Sequence, residues 1–178
     1  MNIRPHQQLS QEFTELYDAY ADAIYRFIFF KTSNKTLAWD LTQECFLKTW
    51  EYVRNGKHET IKNQRAFLYT IARNIVIDHW RQKEKQATTD LEEVAYAIPD
   101  GNDIHEQTVL MNDIGNMMEL LEQLPGHHKE ILILRYTQEL SFSEIAKILG
   151  KSAISVRVEA HRAIKKLKHI AQTKNIHE

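Results

Sequence analysis

Six cationic side chains, Arg157, His161, Arg162, Lys165, Lys166 and Lys168, crowd into one short stretch near the end of the chain. Between them Val156, Ala160, Ala163 and Leu167 recur at helical spacing, so the stretch predicts one helix with a buried stripe and basic outer faces. Crowded together on one helix, such side chains suit the binding of negative charge. They neutralise phosphates and donate to base edges, and a short helix bearing them is suited to a DNA major groove. A second cationic set, Arg65, Arg73, Arg81, Lys83 and Lys85, alternates with Phe67, Tyr69 and Trp80. Cations interleaved with aromatics suit a single strand, whose bases offer faces to stack on and whose phosphates offer charge. The same three aromatics serve equally as core, whereas Asn74 and Asp78, one turn apart, are harder to place inside.

The elements that must position the first set have the grammar of a helix-turn-helix. Ser141 is placed to cap a helix and Glu144, three residues on, to complete a capping box. Ile145, Ala146 and Leu149 give that helix an apolar face, Gly150 ends it, and Ser152 caps the cationic helix. Before it, HKEILILRY forms a short helix whose Ile131, Leu132, Leu134 and Tyr136 are expected to pack on the helix-turn-helix. Pro125 and Gly126 separate it from a helix starting near Asp103, with Ile104, Met111, Ile114, Met118, Leu121 and Leu124 facing inward.

Three more helices are expected in the first half. Ser10 to about Lys31 carries Phe13, Leu16, Tyr17, Tyr20, Ile24, Phe27 and Ile28 at helical spacing. Asn34 or Thr36 caps the next, which runs to about Val53 with Leu41, Cys45, Phe46, Thr49, Trp50 and Val53 inward. Another of its faces aligns Asp40, Glu44, Leu47 and Glu51, an acidic stripe with one exposed hydrophobe, either solvated or a docking surface for a basic partner. Arg54 to Lys62 is a polar loop around Gly56, and Asn63 caps a third helix to about Gln86, with Leu68, Ile71, Ala72, Ile75 and His79 on one side. Periodicity lapses from Ala87 to Gly101, which reads as a linker.

The formal net charge of −1 conceals a partition. Residues 62–86 hold six Lys and Arg against two Asp and Glu; residues 87–128 hold none against nine; residues 129–178 hold ten against five. Two basic blocks flank an acidic one, which points to two nucleic-acid contacts joined by a segment that avoids or imitates DNA. No run approaches the roughly 20 apolar residues of a membrane span, and the first residues lack a signal-peptide core, so a cytoplasmic protein is expected. Cys45 is the only cysteine and reads as a small buried hydrophobe rather than a nucleophile. No nucleophile–His–acid arrangement or metal-ligand spacing is present, His127 and His128 included; no enzyme activity, metal or cofactor is expected. The fold class is all-α: residues 1–86 form one small helical domain, 87–102 an acidic linker, and 103–178 a four-helix domain of winged-helix-like or homeodomain-like kind.

DLTQECFLKTWE, AFLYTIARNIVIDHWRQKEK, LPGHHKEILILRY and SFSEIAKILGKSAISVRVEAHRAIKKL, in this order, resemble the bacterial RNA polymerase sigma factors of the sigma-70 family, extracytoplasmic-function class. The first is similar to that family's polymerase-docking helix, the second to its −10-element helix, and the last two to its −35-binding domain. The resemblance implies that Asp40, Gln43, Glu44 and Leu47 meet the β′ clamp helices of core polymerase, with the β flap as a further contact. It implies a loop holding a base flipped from the melted −10 strand, with Lys57 and Lys62 in it. Arg65, Arg73, Asn74, Trp80 and Arg81 would contact −10 bases and phosphates. Ser155, Arg157, Val158, His161 and Arg162 would read the −35 element, with Lys165 and Lys166 nearer its phosphates. An anti-sigma partner, no membrane insertion, and a linker passing through the RNA exit channel are further implications.

The sequence departs from the family in the recognition helix. Ile154 stands where Gly is common, Val158 where Ser is frequent, and Glu159 where a basic residue is usual. Glu159 either turns away from DNA, pairs with Arg162 or Lys166, or accepts from a cytosine amino group. The third helix also lacks the paired tryptophans of housekeeping sigma factors, which implies stricter promoter opening. The competing reading is a free-standing helix-turn-helix regulator that binds duplex without polymerase, for which the acidic stripe has no use; a third is a helical module that sequesters a partner.

Overall fold

Two asparagines and two serines start four of the helices. In this computed structural model, which describes residues 6–57, 61–87 and 108–175, Asn34 Oδ1 accepts from the Leu37 amide at 2.9 Å and Asn63 Oδ1 from the Ala66 amide at 2.9 Å. Ser141 Oγ accepts from the Glu144 amide at 3.3 Å and Ser152 Oγ from the Ser155 amide at 3.1 Å. Each satisfies a backbone donor that the first helical turn leaves unpaired. The chain divides into two compact units, Met1–Ile98 and Pro99–Glu178.

The first unit contains α1 (His6–Thr32), α2 (Lys35–Tyr52) and α3 (Gln64–Ala87). Its core takes Ile24, Phe27 and Ile28 from α1, Ala38, Leu41, Cys45 and Phe46 from α2, and Leu68, Tyr69, Ala72, Ile75 and Val76 from α3. Phe27 and Tyr69 meet edge to face, 5.4 Å between centroids at 88°. Burying a side chain of this size stabilises by roughly 1.5–3 kcal/mol. The Cys45 thiol is buried 3.7 Å from the Leu68 carbonyl, and burial pushes its pKa up to about 12. It is a packing residue.

The expected loop at Arg54 begins later. Val53–Lys57 carries α2 on through one wide helical turn, which breaks at Asn55 (φ −76°, ψ 15°) and Gly56 (φ 76°, ψ 11°). A side chain is strained at the left-handed φ of Gly56, so this glycine sets where the helix stops.

The second unit contains α4 (Thr108–Glu122), α5 (Gly126–Leu132), a wide turn Ile133–Thr137, α6 (Phe142–Leu149) and α7 (Ala153–Asn175). Its core joins Leu121, Leu124, Ile131, Leu132, Ile133, Leu134, Leu140, Ile145, Ile148, Val156, Ala160 and Ala163. Four helices with no strand among the described residues make a helix-turn-helix domain without a wing. Two inward assignments need correction. Tyr136 is 58% exposed: the Gln138 amide donates to the Ile133 carbonyl at 3.1 Å, and this widened turn carries Tyr136 off the inward face that Ile133 and Leu134 occupy. Ile114 is 38% exposed, since burial begins at the end of α4, at Leu121, and continues at Leu124 just beyond it, and Ile114 lies two turns before Leu121. Ile104 and residues 88–102 of the acidic linker lie outside the described residues, as do the side chains of Ala87, which ends α3, and Met111. No helix among the described residues is long and apolar enough to cross a membrane.

Candidate nucleic-acid interface

The helix-turn-helix is held at both joints. The Ser141 amide donates to Glu144 Oε2 at 2.9 Å, completing the capping box, and Gly150 closes α6 in the left-handed conformation (φ 64°, ψ 33°). The Lys151 amide then donates to the Ala146 carbonyl at 2.9 Å, and α7 starts two residues later. With about 100° between successive residues, the buried Val156, Ala160 and Ala163 fix which side of α7 faces away from the core. Ile154, Val158 and Lys165 lie most nearly opposite that side, with Arg157 and His161 on one flank and Arg162 on the other. All of these, and Lys166, are exposed.

Ser155 and Glu159 lie off this outward face. Ser155 is half-buried and its hydroxyl donates to Glu159 Oε1 at 3.3 Å. Glu159 pairs with neither Arg162 nor Lys166 as partner of choice; it receives Lys151 Nζ at 2.8 and 2.7 Å on its two oxygens. That hydrogen bond is the main reason its carboxyl sits below the usual carboxylate range, against a smaller opposing effect of desolvation. The charge that looked out of place on a reading helix is thus occupied within the fold.

Phe142, which the sequence did not single out, contacts Arg157 and shares its ring with Arg135. The guanidiniums of Arg157 and Arg135 lie over the Phe142 ring, 5.5 and 4.8 Å from its centroid, and Arg135 Nη1 donates to the Leu140 carbonyl at 2.9 Å. The available signal was an aromatic at the start of α6 with arginines on both neighbouring elements. At the start of α5 the rings of His127 and His128 lie 4.2 Å apart. Burial, then His127, hold His128 below the ordinary histidine range.

On α3 the candidate residues separate. Asn74 and Arg81 align on the outward side, with Asp78 between them and 3.8 Å from the Arg81 guanidinium; Arg73 and Trp80 align along one edge. Trp80 is 37% exposed, and Lys83 Nζ lies 5.5 Å from its ring centroid. Arg65 is on the other side of the helix and hydrogen-bonds Tyr69, whose hydroxyl burial pushes up to about 12. Tyr69 is therefore core, and Phe67 packs against Tyr52 at 4.8 Å, so Trp80 is the most exposed ring of the three. Lys62 is exposed; the Lys57 side chain is outside the described residues.

On α2, Asp40, Gln43 and Leu47 are exposed and Glu44 is half-buried, paired with Lys48 at 2.7 Å. Leu47 is 58% exposed. It borders an open groove of about 420 Å³ between α1 and α2, floored by Phe13, Tyr17, Phe46 and Trp50, with Gln43 on its edge. The sequence marked the stripe but not the groove, because Phe13 and Tyr17 read as ordinary core positions of α1.

Comparison with known proteins gives these surfaces a common setting. The profile of Sigma-70 region 2 matches residues 16–86, and that of Sigma-70, region 4, matches residues 114–167. The chain is similar to the RNA polymerase sigma factor YlaC of Bacillus subtilis, 33% identical over 86% of this chain and 88% of that one. It is also similar to the ECF RNA polymerase sigma factor SigX of the same organism, 30% identical over 90% and 84%. It spans 58% of the length of the ECF RNA polymerase sigma factor BldN of Streptomyces coelicolor, at 30% identity. The fold is that of the sigma factor RpoE solved in complex with the anti-sigma factor NepR from Bartonella quintana (TM-score 0.71, 21% identity, 91% of this chain and 98% of that chain). The chain belongs to the RNA polymerase sigma factors, in their extracytoplasmic-function class.

Proposed function

We propose that the three exposed surfaces divide the work of promoter recognition among them. Asp40, Gln43, Glu44 and Leu47 bind the β′ clamp helices of core polymerase. Asn74, Arg73, Trp80 and Arg81, with Lys57 and Lys62 in the segment before that helix and Arg65 in its first turn, hold the melted −10 strand. Arg157, Val158, His161 and Arg162 read the −35 duplex, Ser155 from the side, with Lys165 and Lys166 on phosphates. Phosphate contacts fix register, and base-edge contacts choose sequence. A base drawn out of the −10 stack costs a few kcal/mol of unstacking, which stacking on Trp80 and hydrogen bonds from Asn74 offset.

The observation that carries this reading is Leu47. A leucine 58% exposed amid acidic residues, at the lip of an apolar groove, suits a helical protein partner and has no place in a free-standing duplex binder. The acidic segment 87–102, with Asp90, Glu92, Glu93 and Asp100, takes the path of nascent RNA through the polymerase exit channel. An anti-sigma protein holds the factor in reserve, as NepR is bound to RpoE in the related structure.

The test is transcription with purified components. The chain added to core polymerase is expected to yield discrete transcripts from promoter templates and to bind the promoter duplex poorly by itself. A tight sequence-specific duplex complex formed without polymerase, and no start-site selection with it, contradicts the reading.

A further inference from the structure

In the first two turns of the recognition helix the most outward positions are apolar. Ile154 is 75% exposed and Val158 44% exposed, one turn apart and opposite the buried Val156, Ala160 and Ala163. Neither contributes to the core of its unit, and water gains nothing from them. Ile154 is the second residue of α7, and the first turns of a recognition helix are the part that meets base edges. Cations flank the pair, Arg157 and His161 on one side and Arg162 on the other, so phosphates or guanines beside it find partners while its centre offers only methyl groups. In the major groove the one apolar feature of a base pair is the thymine C5-methyl.

We propose that Ile154 and Val158 are specificity-determining residues that read thymine methyl groups in the −35 element. The inference rests on the reading of α7 as the −35 helix and deepens it. Glu159, the charge that would have competed for a base here, is held by Lys151 and Ser155 and leaves the apolar pair unopposed. Four helical residues rise about 6 Å, close to two base-pair steps of about 3.4 Å. The two methyls therefore belong to thymines one or two steps apart, on either strand.

The experiment removes the methyl and nothing else. Holoenzyme made from the full chain and core polymerase selects duplexes from a pool randomised upstream of a fixed −10 region. Each thymine of the enriched upstream element is then replaced by deoxyuridine, one at a time, and holoenzyme affinity is measured. One or two replacements are expected to weaken binding about fourfold, the effect of one buried methyl. Ile154→Ala and Val158→Ala, both exposed and helix-compatible, are each expected to abolish sensitivity at one of these thymines. The proposal is overturned if no replacement weakens binding, or if the sensitivity persists unchanged in both variants. Failure of the holoenzyme to enrich any upstream element is a different outcome: it overturns the −35 reading of α7, and this proposal with it.

Discussion

Lys151, in the turn before the recognition helix, donates from Nζ to both carboxylate oxygens of Glu159, two turns into that helix. The pair ties the turn to α7 and neutralises a negative charge beside the surface proposed to meet DNA. Glu159→Gln is expected to leave sequence preference unchanged and to lower stability by about 1 kcal/mol or less at neutral pH, since the pair is partly solvated. Because the folded carboxyl is depressed below its ordinary 4.5, the stabilisation is present above that value and is lost as pH falls through the folded one. Thermal melts of both proteins across that range check this: the gap should close in acid. A gap of equal size throughout refutes the pairing as its source.

Leu47→Ala is expected to weaken assembly with core polymerase by about 2 kcal/mol, the scale of an interface anchor, with the melting temperature unchanged. The separation follows from its exposure, which leaves little packing to lose. Titration of labelled core polymerase measures the affinity. Unaltered binding would move the docking surface elsewhere.

Trp80 and Tyr69 should respond in opposite ways. Trp80→Ala removes a stacking platform and is expected to reduce holoenzyme affinity for a single-stranded −10 oligonucleotide by about 1–3 kcal/mol. Tyr69→Leu is expected to destabilise the first unit, with oligonucleotide affinity of the folded fraction retained, because that ring is packed against Phe27. Anisotropy and denaturant melts on both variants distinguish the two roles.

Phe142→Leu should loosen Arg157. Loss of its ring interaction, worth about 0.5–1 kcal/mol at an exposed site, is expected to reduce −35 duplex affinity of the holoenzyme by a few-fold, and Phe142→Tyr to restore it. Equal loss in both variants would show that the ring serves packing alone.

The helices and their starts were legible because caps and periodicity are local: Asn34, Asn63, Ser141 and Ser152 each act within three residues of themselves. What was not legible depends on widened turns and on neighbours distant in the sequence. Tyr136 follows the inward pattern of α5 until one wide turn displaces it. Tyr69 and Trp80 have the same composition signal, and only packing against Phe27 assigns one to the core. Glu159 offered Arg162 and Lys166 at helical spacing, yet Lys151, eight residues earlier, reaches it first because Gly150 turns the chain back along α7.

Cys45 has a practical consequence. The only thiol of the chain is enclosed and held protonated at neutral pH, so maleimide reagents should pass it by. The natural sequence is thereby ready for site-directed labelling: Asp18→Cys and Gln172→Cys, both at exposed positions on different units, would accept a donor and an acceptor dye without any prior removal of cysteine. The distance between the two units, free and on polymerase, then becomes a fluorescence measurement.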